Sequence, residues 1–267
     1  KFIFYGEETI YIDIVDATNE ITLNAAEIEI SSCVLSYDDQ NPVSPLDIAY
    51  NESTEIVTFR FDTLLPQGLA RLTITFTGCL NDKLRGFYRS RYTNPEGNES
   101  YLASTQFEAT DARRSFPCWD EPSLKAVFEV TLIIPETMVA LCNTPVAIES
   151  KPQKGLKSVT FEPSPKMSTY LLAFIVGDLR SVEQKADNGT IIRIWATRGK
   201  EEHGQFALDT SVKLLTYFND YFQIPYPLPK LDHIAIPDFA AGAMENWGAI
   251  TYREIALLVD PQNSSAG

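Results

Sequence analysis

Alternating apolar and polar residues through about residue 183, dense turn signals between those runs, and a single helix-period segment after residue 200 predict a mainly β protein. The expected architecture is an N-terminal β-sandwich over residues 1–185, followed over 186–267 by the incomplete start of an α/β domain.

Val57, Phe59 and Phe61 alternate with Thr58 and Arg60, and Leu72, Ile74 and Phe76 alternate with Thr73, Thr75 and Thr77. Period-two alternation of this kind, rich in β-branched residues, makes half-buried strands. Asp38-Asp39-Gln40-Asn41-Pro42 and Asn94-Pro95-Glu96-Gly97-Asn98 read as turns between strands. Further strands are expected over 128–134, 158–161 and 170–176, with no convincing helix among them. The polar stretch Lys185-Ala186-Asp187-Asn188-Gly189 reads as the junction. After a strand over 191–196, Leu208, Val212, Leu215 and Phe222 recur at helical spacing, joined by Phe218, and predict a helix over about 205–222. Pro225, Pro227 and Pro229 stop it, because proline lacks the amide donor and fixes φ. Two strands, 232–236 and 249–252, complete the pattern. One helix with three or four strands leaves sheet faces uncovered, so the second domain reads as incomplete.

Composition bounds the partners. Thirty-six acidic residues against 22 Lys and Arg give a net charge of −14. Such a field repels nucleic acid and anionic membrane surfaces and attracts cations, including peptides with a free ammonium terminus, although keeping the protein soluble is the simpler role for it. Cys33, Cys79, Cys118 and Cys142 show neither C-x-x-C spacing nor disulfide-scaffold density, which favours reduced thiols in a cytoplasmic protein. Sequons at Asn51, Asn98, Asn188 and Asn263 would permit glycosylation if the chain were extracellular. Neither a long apolar run nor a signal-peptide pattern is present, yet Lys1 is not a natural start, so an upstream anchor or signal stays open.

The segment Gly242-Ala243-Met244-Glu245-Asn246 lies between two expected strands, after Ala240 and Ala241. Small side chains let another backbone approach a strand edge, and a carboxylate immediately afterwards suits an ammonium at the end of that backbone. A free α-amino group, with an ordinary pKa of about 7.7–8.0, is mostly protonated near neutrality. From the residues alone, an ordinary strand bearing a solvent-facing acid is the better explanation of the segment.

Gly-Ala-Met-Glu-Asn, continuing here as Trp247-Gly248-Ala249-Ile250-Thr251-Tyr252-Arg253-Glu254, resembles the signature of the gluzincin-class zinc aminopeptidases. A second match runs from Thr105-Gln106-Phe107-Glu108-Ala109-Thr110-Asp111-Ala112-Arg113-Arg114 to Ser115-Phe116-Pro117-Cys118-Trp119-Asp120-Glu121-Pro122. Asn81-Asp82-Lys83, Gly86-Phe87-Tyr88-Arg89-Ser90, Met167-Ser168-Thr169-Tyr170-Leu171 and Pro225-Tyr226-Pro227-Leu228-Pro229-Lys230 resemble the puromycin-sensitive subfamily most closely. The resemblance extends from near residue 9 to residue 267 and is weakest in the first eighty positions. It implies a saddle-like β domain leading into a thermolysin-like catalytic domain. It also implies release of N-terminal amino acids from peptides by a zinc-bound water. Carried over by motif, Glu245 is the main amine-binding carboxylate, Glu108 the second acid and Gln106 a neighbour lining the site. Gly242 and Ala243 offer backbone groups, and Met244 forms part of the first side-chain pocket. Arg113, Arg114, Asp120 and Glu121 are expected to form ion pairs that fix their block against the next domain, and Trp119 and Trp247 to pack.

The family's zinc motif, His-Glu-x-x-His with a downstream Glu, has no counterpart here. His203 and His233 stand thirty positions apart and read as structural. The resemblance puts the zinc ligands, the general base and the oxyanion tyrosine beyond Gly267, past Leu258-Val259-Asp260-Pro261-Gln262-Asn263-Ser264-Ser265. No metal ligand or catalytic residue is therefore expected within the chain, which is predicted inactive alone. A non-catalytic peptide-binding or scaffolding relative is the alternative. The membrane-anchored ectodomain and leukotriene-hydrolase-like branches are the alternatives within the family.

Overall fold

The computed structural model describes residues 2–38, 41–260, 262 and 264. Asp39, Gln40 and the sequon residue Asn263 lie outside the described residues. The first module is a β-sandwich made of β1 (Ile3–Ile14), β2 (Thr18–Asn24), β3 (Ile28–Ser36), β4 (Asp47–Asn51), β5 (Ile56–Leu65) and β6 (Gly68–Cys79). They form two antiparallel three-stranded sheets, ordered β1-β6-β3 and β2-β5-β4. Val57, Phe59 and Phe61 of β5 share one core with Leu72, Ile74 and Phe76 of β6, as their alternation requires.

The second module contains β7 (Gly86–Thr93), β8 (Glu99–Gln106), β9 (Thr131–Pro135), β10 (Val139–Cys142), β11 (Val146–Gln153), β12 (Leu156–Phe161) and β13 (Phe174–Gly177). One sheet runs β10-β13-β8-β7 and the other β11-β12-β9. Two expected strands shorten here. The segment from Phe128 joins its sheet only at Thr131, because the Phe128 amide donates instead to Ser164 Oγ at 2.9 Å. Thr169–Leu171 is a 3-10 turn, and β13 begins at Phe174. Asn143 explains the difference: its side chain takes the Ala173 amide and the Leu171 carbonyl, displacing a strand partner.

The third module holds β14 (Leu179–Lys185), β15 (Ile191–Thr197), α1 (Gln205–Phe222), β16 (Lys230–Ile236), β17 (Ala243–Met244), β18 (Ala249–Arg253) and a short α2 (Glu254–Leu257). Its sheet runs β14-β15-β16-β18-β17, with parallel pairing between β15, β16 and β18. The turn after Lys185 closes the β14–β15 hairpin, so β14 shares a sheet with the later strands. Helix α1 has the expected limits, and Gln223 just beyond it adopts a left-handed φ of 53° before Pro225. Its core face differs from expectation. Leu208 and Leu215 are buried against Ile192, Ile194 and Ala235, whereas Phe218 and Phe222 are exposed. The first turns lie on the sheet, and the last two run past the apolar residues that would cover them. On its other face the sheet joins the second module, where Ile234, Ile236, Met244 and Ala249 enter one core with Phe87, Leu102, Phe107 and Phe174.

Candidate functional site at the β17 edge

Strand β17 is the outermost strand of its sheet, and it pairs only with β18 among the described residues, Ala243 opposite Tyr252 and Met244 opposite Thr251. The Arg253 amide donates to the Gly242 carbonyl at 3.0 Å. In an antiparallel ladder the intervening residue then turns its amide and carbonyl away from the partner, so Ala243 presents both to the open side. Gly242 and Ala243 are exposed, and a Cβ placed on Gly242 would meet open space. Glu245 is exposed directly beyond the strand. Met244, by contrast, is completely buried in the core, and its side chain holds the strand down.

The other predicted acid comes from the second module. Gln106 ends β8, and Glu108 follows it, exposed, in the turn before the 3-10 segment Ala112–Arg114. The Gln106 Oε1 atom is buried without a hydrogen-bond partner. Phe107, between Gln106 and Glu108, packs in the same core as Met244, between Ala243 and Glu245. The two predicted segments are thus pinned to one apolar cluster by the residue in the middle of each.

Hydrogen bonds fix the approaches to β17. Tyr88 Oη donates to the Asp238 carbonyl at 2.9 Å, and the Asp238 amide donates to Ser90 Oγ at 2.7 Å, tying the loop before β17 to β7. Arg253 donates to the Phe239 and Ala240 carbonyls at 3.2 and 2.5 Å. After β17, Asn143 donates to the Trp247 carbonyl at 2.9 Å and Lys230 to the Gly248 carbonyl at 2.7 Å. Residue pattern did not reveal Asn143, Tyr88 or Ser90 as part of this frame. Tyr88, Ser90 and Lys230 lie within motifs that resemble the family's, and Lys230 is also a cation opening a strand whose other residues are largely apolar, whereas Asn143 carried no signal.

The ion pairs around the upstream block bind in the other direction from that expected. Arg113 pairs with Asp120 at 3.0 Å and Glu55 at 3.3 Å, and Arg114 with Asp111 at 2.6 Å, Glu27 at 3.1 Å and Glu55. Glu27 and Glu55 belong to the preceding sandwich, so the block is fixed backward rather than against the next domain. Glu121 is exposed. Trp119 packs against the sandwich core, but Trp247 is 42% exposed.

His233 and Cys142 are enclosed groups, whereas Cys79 is exposed and His203 half-buried. His233 Nδ1 lies 3.0 Å from the Tyr252 hydroxyl and Nε2 is buried without a partner. Burial pushes the imidazole pKa down to about 4, against a smaller opposing pull from Asp232, so the ring is neutral at pH 7. Burial likewise pushes the Cys142 thiol up to about 11. Among the described residues, no group of three or more His, Cys, Asp or Glu side chains converges as a metal site, so the residues present do not fit a zinc ion.

Residues 1–171 match the peptidase M1 N-terminal domain and residues 206–267 match the peptidase family M1 domain. The chain belongs to the peptidase M1 family. Among its M1 relatives, aminopeptidase M1-C of Oryza sativa subsp. japonica is 47% identical over 99% of the chain. The puromycin-sensitive aminopeptidase of Caenorhabditis elegans is 47% identical over 98% of it. The chain spans only 30% and 28% of the lengths of these two relatives. It covers 72% of an aminopeptidase N of Acetobacter pasteurianus, at 42% identity over 97% of the chain.

Proposed function

We propose that this M1 chain is the N-terminal part of a zinc aminopeptidase and supplies the site that reads the free amino terminus of a peptide. The observation that carries the reading is the open edge of β17, with exposed Glu245 immediately after it. An extended peptide adds to such an edge by main-chain hydrogen bonds, for which Ala243 has both groups free, and Gly242 leaves room for its approach. Glu245 then meets the peptide's ammonium. Glu108 is the second acid, with Gln106 beside it; Met244, expected to line the first side-chain pocket, is instead completely buried and fixes the strand from beneath. Two carboxylates select against an internal peptide nitrogen, which carries no charge and would leave both unpaired.

In this reading the catalytic domain opens with the β14–β15 hairpin at Leu179 rather than after Lys185 as the sequence led us to expect, because β14 belongs to the sheet that carries β17. Zinc, when bound by the complete enzyme, supplies the activated water. In this reading the role of this segment is binding and orientation. Partners are peptides with a free amino terminus, and the acidic surface disfavours nucleic acid. A cytoplasmic location accords with four free cysteines, and no described helix is long and apolar enough to cross a membrane.

Removing one partner of a desolvated charged contact costs about 3–5 kcal/mol, so Glu245→Ala in the complete enzyme is expected to lose most activity toward an amino-acyl arylamide. Near-wild-type hydrolysis by that variant would refute the assignment.

A further inference from the structure

We propose that Asn143 and Lys230 are positioning residues for amine recognition, holding the carbonyls of Trp247 and Gly248 and thereby setting where the open edge of β17 and the Glu245 carboxylate stand. The inference rests on the reading that Glu245 meets the substrate ammonium.

Strand β17 is two residues long, so its ladder alone is a weak constraint. The turn after β17 is held by two buried polar side chains. Lys230, 3% exposed, uses all three of its donors: to the Cys142 carbonyl at 2.6 Å, the Gly248 carbonyl at 2.7 Å and Asp232 Oδ2 at 2.7 Å. Asn143, 1% exposed, donates to the Leu171 and Trp247 carbonyls at 2.8 and 2.9 Å and accepts the Ala173 amide at 2.9 Å. Two consecutive carbonyls are thus gripped, one from the second module and one from within the sheet. The approach is so close that a Cβ on Gly248 would overlap the Asn143 carbonyl oxygen.

A buried Lys–Asp pair is weak evidence for stability, because an apolar pair of similar volume often serves as well. A role in fixing geometry accounts for it better. The Lys230 bonds to carbonyls converge on the turn that carries Glu245 and on the strand end that meets that turn, and neither reaches solvent.

The test uses Asn143→Asp, which keeps the shape and loses the two donors, and independently the double variant Lys230→Met with Asp232→Asn, which leaves no unpaired charge if the first fails to fold. In the 267-residue chain, amides of residues 243–253 are expected to exchange about tenfold faster, with β5 and β6 amides changed by less than about twofold. In the complete zinc enzyme, KM for an amino-acyl arylamide is expected to rise about tenfold with kcat within about threefold. In a Glu245→Ala background the same KM effect should shrink below about twofold, because the carboxylate being positioned is gone. Uniform acceleration of exchange, or a KM penalty that persists undiminished without Glu245, would overturn the proposal. Should Glu245→Ala itself leave KM and kcat unchanged, it is amine recognition that fails, and the exchange measurement alone decides whether the two residues hold the strand.

Discussion

Glu8 offers the sharpest test of the sandwich. It lies opposite Ile74 in the β1–β6 ladder, on the face where Ile74 is completely buried, between the pairs Gly6–Phe76 and Ile10–Leu72. Its Oε1 atom is buried without a hydrogen-bond partner, and burial pushes its pKa from 4.5 up to about 8. The folded chain therefore keeps this proton at neutral pH while the unfolded chain has released it. A raised folded-state value means that stability is fully present below the ordinary carboxylate range and is lost as pH rises toward about 8, by about 1.4 kcal/mol per pH unit. Allowing for curvature at both ends, the loss between about pH 5 and about pH 8 is roughly 3 kcal/mol. Glu8→Leu removes the titrating group and keeps an apolar side chain on the core face. In urea unfolding across that range, the variant should gain on the native sequence steadily as pH rises. Parallel pH dependence of the two proteins would show that the Glu8 carboxylate is solvated and not held in its protonated form by burial.

The His233 pKa, pushed down to about 4, works in the opposite sense: stability is present above about pH 6.5 and falls as pH drops toward 4, by about 1.4 kcal/mol per unit. His233→Gln should flatten that acid limb in the same unfolding assay, and an unchanged limb would place the acid sensitivity elsewhere. Gly248 has a φ of 71° and no room for a Cβ beside the Asn143 carbonyl. Left-handed backbone at a non-glycine residue costs about 1–2 kcal/mol and overpacking about 1–3. Gly248→Ala is therefore expected to destabilise by about 2–5 kcal/mol in urea unfolding, and a change below about 0.5 kcal/mol would show that the turn is not closely packed.

Elements whose fate depends on their own side chains were legible from the sequence. The alternation in β5 and β6 buries the residues it names, and α1 starts and stops where its apolar period and the following prolines require. Elements decided by distant partners were not. The strand expected from Tyr170 is interrupted because Asn143 bonds to Leu171 and Ala173, nearly thirty residues downstream. Phe218 and Phe222 fit the helical stripe, but periodicity says only which residues share a face, not whether anything covers the whole of it. At the candidate site, motif position nominated Glu245 and Glu108, while nothing in spacing or pattern showed that Tyr88, Ser90 and Asn143 would frame them.

The tethers differ in kind, and under the proposed function the difference bears on how two acids would serve one ammonium. The turn carrying Glu108 is bounded by Arg114, which pairs with Asp111 beside it and with Glu27 and Glu55 of the sandwich. The strand before Glu245 is bounded by neutral bonds from Tyr88, Ser90 and Asn143 of the second module and by the cations Lys230 and Arg253, which bond to carbonyls. The second module is therefore the common frame: Phe107 and Met244 share its core, and the charged network reaches away from it to the sandwich. Under the proposed function the cations nearest the recognition edge, Arg253 and Lys230, spend donors on backbone carbonyls, whereas a cation paired directly with Glu245 or Glu108 would compete with the substrate's ammonium. It also predicts a division of labour. Loosening the Arg114 network should disturb Glu108 through the sandwich contact while leaving the β17 edge in place, whereas loosening Asn143 or Lys230 should do the reverse.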